Sequence, residues 1–177
     1  MFKSIEPCSL PKHALLARYQ LGGDLEGYTD CFAIKLQKRI EFADFVVAFY
    51  TSPLFKIERF ILRLIGKPAN DKKARELALG LRADFAAWTV EDRSQDQILL
   101  CDFMKKTRSW LMVELSDEER QSNLYFGSAV VFKTSETNEV KPPAGFSLLS
   151  RFHVWYSKAL LNAAHRQLVK SKGTGLS

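Results

Sequence analysis

Between residues 85 and 133 the chain alternates apolar and polar positions with a period of two, and the links are too short to do anything but reverse direction. The segments are 85–93 (FAAWTVEDR), 97–103 (QILLCDF), 107–115 (TRSWLMVEL) and 123–133 (NLYFGSAVVFK). Polar stretches join them: Ser94-Gln95-Asp96, then Lys105-Lys106, then residues 116–122. A parallel connection needs a crossover of about a dozen residues or more, so neighbours in this run must be antiparallel. Residues 84–133 therefore predict an antiparallel meander.

The flanks have other periods. Residues 28–36 (YTDCFAIKL) predict a first strand, with Phe32, Ile34 and Leu36 on one face. In 41–66, Phe42, Phe45, Val46 and Phe49, then Ile57, Phe60, Ile61 and Leu64, recur at helical spacing. Ser52-Pro53 divides the stretch into two short helices with a bend, because proline suits a first helical position and no interior one. Gly66 and Pro68 end the second. Residues 71–79 predict a third, weaker helix with Asn70 as N-cap. A long helix is predicted over 145–170, after a loop at 134–144 containing Pro142-Pro143. The fold class is α+β: a curved antiparallel sheet of about five to six strands, two short helices after the first strand, and a long C-terminal helix packed across the sheet.

A chain of 177 residues defaults to one domain with a core of its own. We divide it into an irregular arm (1–27), a body (28–170) and a frayed tail (171–177). Gly22-Gly23-Asp24 marks a turn in the arm, and Leu15 and Leu16 are placed to tuck it onto the body. Cys8, Cys31 and Cys101 are odd in number and lack metal-ligand spacing, which predicts free thiols in a reducing cytoplasm. The N-terminus lacks the apolar stretch of a signal peptide. No run approaches the roughly 20 apolar residues of a membrane span. A cytoplasmic location is the expectation.

The net charge of +6 is confined to residues 141–177, which hold six Lys or Arg and no Asp or Glu. Arg151, Lys158, His165 and Lys172 are spaced by seven and share one side of the last helix, with Leu149, Tyr156, Leu160 and Ala163 roughly opposite. A pI near 9.3 raises nucleic acid or an anionic membrane as partners. So thin a stripe, with no stacking motif beside it, reads instead as the solvated back of a packed helix. Lys72, Lys73 and Arg75 likewise read as a solvated helix face.

Several residues stand out as candidates for chemistry. His153 shares a helix face with Tyr156, and such a pair can exchange protons or orient a polar group; a core histidine satisfied by a carbonyl fits the pattern equally. Arg108, Trp110, Met112 and Glu114 form one face of a strand. That face either lines a pocket with a polar end or lies outward, with Arg108 paired to Glu114 or to an acid on a neighbouring strand. Trp88, Trp110, Phe126, Phe152, Trp155 and Tyr156 are candidate cavity walls, or plain core. Asp84, Glu91, Asp92, Asp96 and Asp102 cluster near strand ends, where solvated charges belong. Ser116-Asp117-Glu118-Glu119 has capping-box spacing but lies between strands, which favours a turn. The histidines His13, His153 and His165 make no metal site by spacing. Phosphate-loop, dinucleotide, nucleophile-elbow and zinc-protease signatures are absent from the sequence. Neither a cofactor nor a metal is expected.

The stretches YTDCFAIKL, EFADFVVAFYTSPLFKIERFILRLI, FAAWTVEDRSQDQILLCDF, TRSWLMVEL, NLYFGSAVVF and GFSLLSRFHVWYSKALL come in an order that resembles the START-like, or helix-grip (SRPBCC), superfamily over about residues 28–170. The phrasing is similar to that of uncharacterised bacterial proteins of this size. The resemblance implies a sheet curled around the long helix and a cavity between them for an apolar or amphipathic ligand. It carries no catalytic motif and assigns no residue a role. Three functions follow as expectations. One is a module that binds a small hydrophobic molecule, with Trp88, Arg108, Trp110, Phe126, Phe152, His153 and Tyr156 as ligand-binding candidates. The second is a cyclase- or isomerase-type enzyme in the same cavity. The third is an interaction module that holds a protein partner or a copy of itself as a homodimer.

Overall fold

The computed structural model describes residues 5–20, 27–116, 120–131 and 146–170, with side chains of the last segment described from Val154 onward. The turn at Gly22-Gly23-Asp24, the loop at 134–144, the Ser116-to-Glu119 box beyond Ser116 and the tail lie outside these residues.

One antiparallel sheet organises the fold. Its strands are β1 (Glu6–Pro7), β2 (Gly27–Leu36), β3 (Asp84–Phe85), β4 (Trp88–Arg93), β5 (Gln97–Asp102), β6 (Thr107–Ser116) and β7 (Gln121–Val131). They lie in the order β1-β2-β7-β6-β5-β4-β3. The sheet has seven strands, more than the five or six that the alternation predicts. Both additions are two residues long, too short to show a period. The segment expected as one strand over 85–93 is a hairpin, with Asp84 opposite Thr89 and Phe85 opposite Trp88. The chain reverses at Ala86, whose φ of 54° lies in the left-handed region. Turns there usually carry glycine, and an Ala-Ala pair gives no such signal. β1 lies in the supposedly irregular arm and pairs with β2 at the sheet edge.

Four helices accompany the sheet: α1 (Phe42–Tyr50), α2 (Pro53–Leu64), α3 (Asp71–Ala78) and α4 (Phe146–Lys170). Ser52 Oγ accepts from the Phe55 N–H at 3.3 Å with Pro53 in the first turn, and Asn70 Oδ1 accepts from the Lys73 N–H at 2.8 Å. Gly66 (φ 77°) and Gly80 (φ 75°) close α2 and α3, where a side chain would be strained. Among the described residues the long helix covers only part of the sheet. α4 lies against β2 and β7, while α1 meets β6 and α3 meets β3, so three helices share one face. Leu160, Leu161, Ala164 and Leu168 of α4 join a core with Ile34, Leu111 and Leu124 of the sheet. Within it Phe49, Tyr50, Phe55, Phe85 and Phe126 are linked by ring contacts of 4.8–6.2 Å.

The arm covers the opposite face. Ala14, Leu16 and Tyr19 bury against Leu99, Trp110, Met112 and Ala129. Gln97 fastens it: its Oε1 accepts from the Leu15 N–H and from the Trp110 indole, both at 2.9 Å, and its Nε2 donates to the His13 carbonyl at 3.0 Å. A buried amide with these partners costs little, whereas an unpaired one would be expensive. Gly127 lets the arm approach. A Cβ there would stand 2.7 Å from Leu16 Cδ2, 2.8 Å from the Asp30 carbonyl oxygen and 3.0 Å from the Trp110 ring. Gly127→Ala is expected to destabilise the fold by about 1–3 kcal/mol, as overpacking does elsewhere. Urea unfolding measures this, and an unchanged midpoint would mean that the arm does not sit against this strand.

Cys8 and Cys31 face each other at the edge of this layer, with sulfurs 2.8 Å apart and the Cys8 N–H donating to the Cys31 carbonyl at 3.0 Å. Both are free thiols. The Cys31 thiol lowers the pKa of Cys8, which lies half-buried, while its own is raised by the same bond and by burial. Cys8, partly exposed where Cys31 is buried, is the sulfur of the pair that a disulfide in solution can reach. Incubation with oxidised glutathione is expected to produce an internal disulfide through exchange. Intact mass should fall by two hydrogens in the wild type and not in Cys8→Ser; a stable mixed disulfide in the wild type would contradict this.

Candidate functional site

A cavity of about 480 Å³ opens between α2, α4 and the helix-covered face of the sheet. That volume is in the range of small-molecule sites. Phe49, Phe55, Phe126 and Leu160 supply carbon walls, with Trp88 at one side and Ile57 and Ile61 of α2 at the rim. Strand pairing brings the sheet residues together. Leu111 lies opposite Phe126 and Ser109 opposite Ser128, so ring and hydroxyls from two strands share one face.

Polar groups are few and placed at definite points. Glu58 and Tyr156 meet across the gap between α2 and α4, with the Tyr156 hydroxyl donating a short hydrogen bond to Glu58 Oε2. Burial raises the Glu58 carboxyl above the usual carboxylate range, and the Tyr156 bond acts in the opposite sense. Burial, then the neighbouring carboxylate, raise the Tyr156 phenol. Ser109, Ser128 and Ser157 add hydroxyls to the wall. Ser157 Oγ is buried with no hydrogen-bond partner among the described residues. The Tyr50 hydroxyl, also buried, lacks one in good geometry, although Ser109 lies close enough to pull the phenol's pKa down against the rise that burial causes. Such groups cost free energy unless something fills the space beside them.

Of the candidates read from the sequence, Trp88, Phe126 and Tyr156 line this cavity. Phe152 and His153 lie on α4, but their side chains fall outside the described residues. Trp155 is exposed. Trp110 is buried on the other face of the sheet, under the arm. Arg108 borders the cavity from its strand, yet its guanidinium is turned away. It bonds Glu91 Oε2 at 2.5 Å and the Tyr19 hydroxyl at 3.1 Å, and stacks over the Tyr19 ring at 4.9 Å. That strand face neither lines the cavity nor stands in solvent: it is buried beneath the arm, and the acid that pairs with Arg108 comes from β4, two strands away. The reason is parity: Arg108 and Trp110 share a face that the arm covers, and Ser109 and Leu111 take the other. Glu58 was not among the sequence candidates. The signal for it was present, since Glu58 follows Phe55 by three residues and so shares the buried side of α2. On α4, Lys158 sits over the Phe32 ring at 5.5 Å rather than standing in solvent.

Among the described residues no group of three or more His, Cys, Asp or Glu could hold a metal ion, and no helix is long and apolar enough to cross a membrane. No protein-family model, curated protein or solved structure matches the chain.

Glu58 predicts a pH dependence. Its folded pKa is raised, so the folded state holds this proton more tightly than the unfolded state. That stabilisation is complete below the ordinary carboxylate pKa and is lost as pH rises through the raised value. Glu58→Gln keeps an acceptor for Tyr156 without the charge. Its melting temperature is expected to exceed that of the wild type at neutral pH, and the two should converge under acid. Parallel curves across the range would show that the carboxyl is not buried as described.

Proposed function

We propose that the chain is a helix-grip-like binding module whose cavity takes a small amphipathic molecule. The observation that carries this reading is the cavity itself, a mostly carbon-lined space of about 480 Å³ ending in a small polar cluster. The element order and the antiparallel sheet support membership of the START-like superfamily, since a strand, helices, a meander and a long last helix follow one another as in that fold. The apolar body of a ligand would lie against Phe55, Trp88, Phe126 and Leu160. Its polar end would meet Glu58 and Tyr156. Glu58 accepts hydrogen bonds and repels anions when ionised, so the matching end is a neutral or cationic donor, such as an alcohol or an amine, rather than a carboxylate. Ser157 Oγ, buried and without a partner among the described residues, offers a second polar contact.

Titration calorimetry with a long-chain alcohol such as 1-decanol tests this reading. Binding is expected to the wild type, and Ser157→Leu, which fills the space without removing a used hydrogen bond, should weaken it about tenfold or more, roughly 1.4 kcal/mol. An unaltered melting temperature in that variant separates a filled cavity from a damaged fold. Equal binding by both proteins would place the ligand elsewhere, and no binding by the wild type to decanol or decylamine would overturn the reading.

A second reading, an enzyme that moves a proton on a bound substrate, is favoured by the Glu58–Tyr156 pair alone. A carboxyl shifted upward beside a phenol suits general acid–base work. Wild-type protein would then exchange solvent deuterium into the α-carbon of a cavity-sized ketone, and Glu58→Gln would not.

A further inference from the structure

We propose that α2 and the β5–β6 turn together form a face that docks on an anionic lipid bilayer. The argument begins with the direction in which α2 points. Ile57, Phe60, Ile61 and Leu64 stand at i, i+3, i+4 and i+7, the spacing of a stripe that ordinarily faces a core. Here they are 61%, 63%, 56% and 72% exposed. Two polar residues of the helix, Glu58 and Arg59, turn inward instead. Glu58 reaches Tyr156, and Arg59 donates to Asp71 Oδ1 at 2.6 Å and to the Tyr50 carbonyl at 3.3 Å. The amphipathic helix is thus mounted with its greasy side outward.

A second, sequence-distant element extends the same face. In the turn after β5, Phe103 and Met104 are exposed and followed by Lys105 and Lys106, also exposed. The Lys67 ammonium, just past the end of α2, lies 5.4 Å from the centre of the Phe103 ring and joins the two elements. So many large apolar side chains exposed on two elements that touch are uncommon on a protein that meets only water.

Charge selects the occupant. Arg63, Lys67, Lys105 and Lys106 stand around the apolar residues and form no salt bridge among the described residues. The nearby acids are engaged: Asp71 with Lys56 and Arg59, Glu58 with Tyr156, and Asp102 with the N–H groups of Met104, Lys106 and Thr107. Large apolar side chains ringed by cations match the boundary between acyl chains and anionic headgroups. A symmetric pair of copies meeting through this face would set the four cations of one against the four of the other, which disfavours that occupant.

The position of the face also bears on the cavity. Ile57 and Ile61 belong to both the stripe and the cavity rim, so the mouth opens where lipid would lie. This last link rests on the ligand-binding reading; docking itself needs no ligand, so the two fail separately.

Co-sedimentation with vesicles tests the proposal. The wild type is expected to pellet with phosphatidylcholine vesicles containing about a third phosphatidylserine, much less with phosphatidylcholine alone, and less in high salt. Phe60→Ser with Leu64→Ser, both at exposed positions, should cut binding about tenfold or more while leaving the melting temperature in place. Lys105→Glu with Lys106→Glu should weaken binding to anionic vesicles and erase their advantage over neutral ones. Failure of the wild type to pellet with anionic vesicles overturns the proposal, as does binding that neither variant changes. Sedimentation equilibrium gives the remaining outcome: a wild-type dimer that Phe60→Ser with Leu64→Ser dissolves would assign the face to a second copy and overturn the membrane.

Discussion

The pairing of β2 with β7 is the contact on which the rest depends. Ten residues of β2 run antiparallel to β7 in unbroken register, from Gly27 opposite Val131 to Leu36 opposite Ser122. This ladder joins an early strand to the last one across the intervening residues 37–120. It places α1, which follows β2, and α4, which follows β7, on the same side of the sheet. It also leaves the arm before β2 free to cross the other side. Ser122 reinforces the junction: its hydroxyl donates to the Lys38 carbonyl and accepts from the Ile40 N–H, both at 2.8 Å. Without this closure the central strands would bury neither face.

Covering both faces has a chemical consequence. On the arm side the layer is thin, with Gln97, Trp110 and Gly127 giving the arm a fixed seat. On the helix side α1, α3 and α4 share the cover, and a gap remains between α2, α4 and the sheet. The cavity lies at that gap. Glu58 and Tyr156 span its edge, each costing less to bury because the other is there. The same tilt of α2 that points Glu58 inward turns Ile57, Phe60, Ile61 and Leu64 outward. Polar site and apolar surface are two sides of one helix.

Much of the architecture was legible before any coordinates. The meander was readable because strand period and link length are local quantities. The α1–α2 boundary was readable because Ser52-Pro53 has one good use. The hairpin at Ala86-Ala87 was hidden, since alanine gives no sign of a left-handed turn. β1 was hidden because a two-residue strand exists only by borrowing an edge. Trp88, Phe126 and Tyr156 were named from their chemistry and line the cavity, whereas Trp110 and Arg108 were named on the same grounds and face the arm. Parity along β6 sorted its residues into two sets, but nothing local says which set a helix or an arm will cover.

The amino-acid sequence by itself determined the element types, their order and the antiparallel sense of the central strands, because each follows from spacing within a few residues. Tertiary structure alone decided which face of the sheet receives the helices, that the arm covers the other, and that α2 sits with its apolar stripe in solvent. Those outcomes depend on contacts between residues far apart in the chain, such as β2 with β7 and Glu58 with Tyr156, and a hydrophobic period states only that a face will be apolar, never what it will meet.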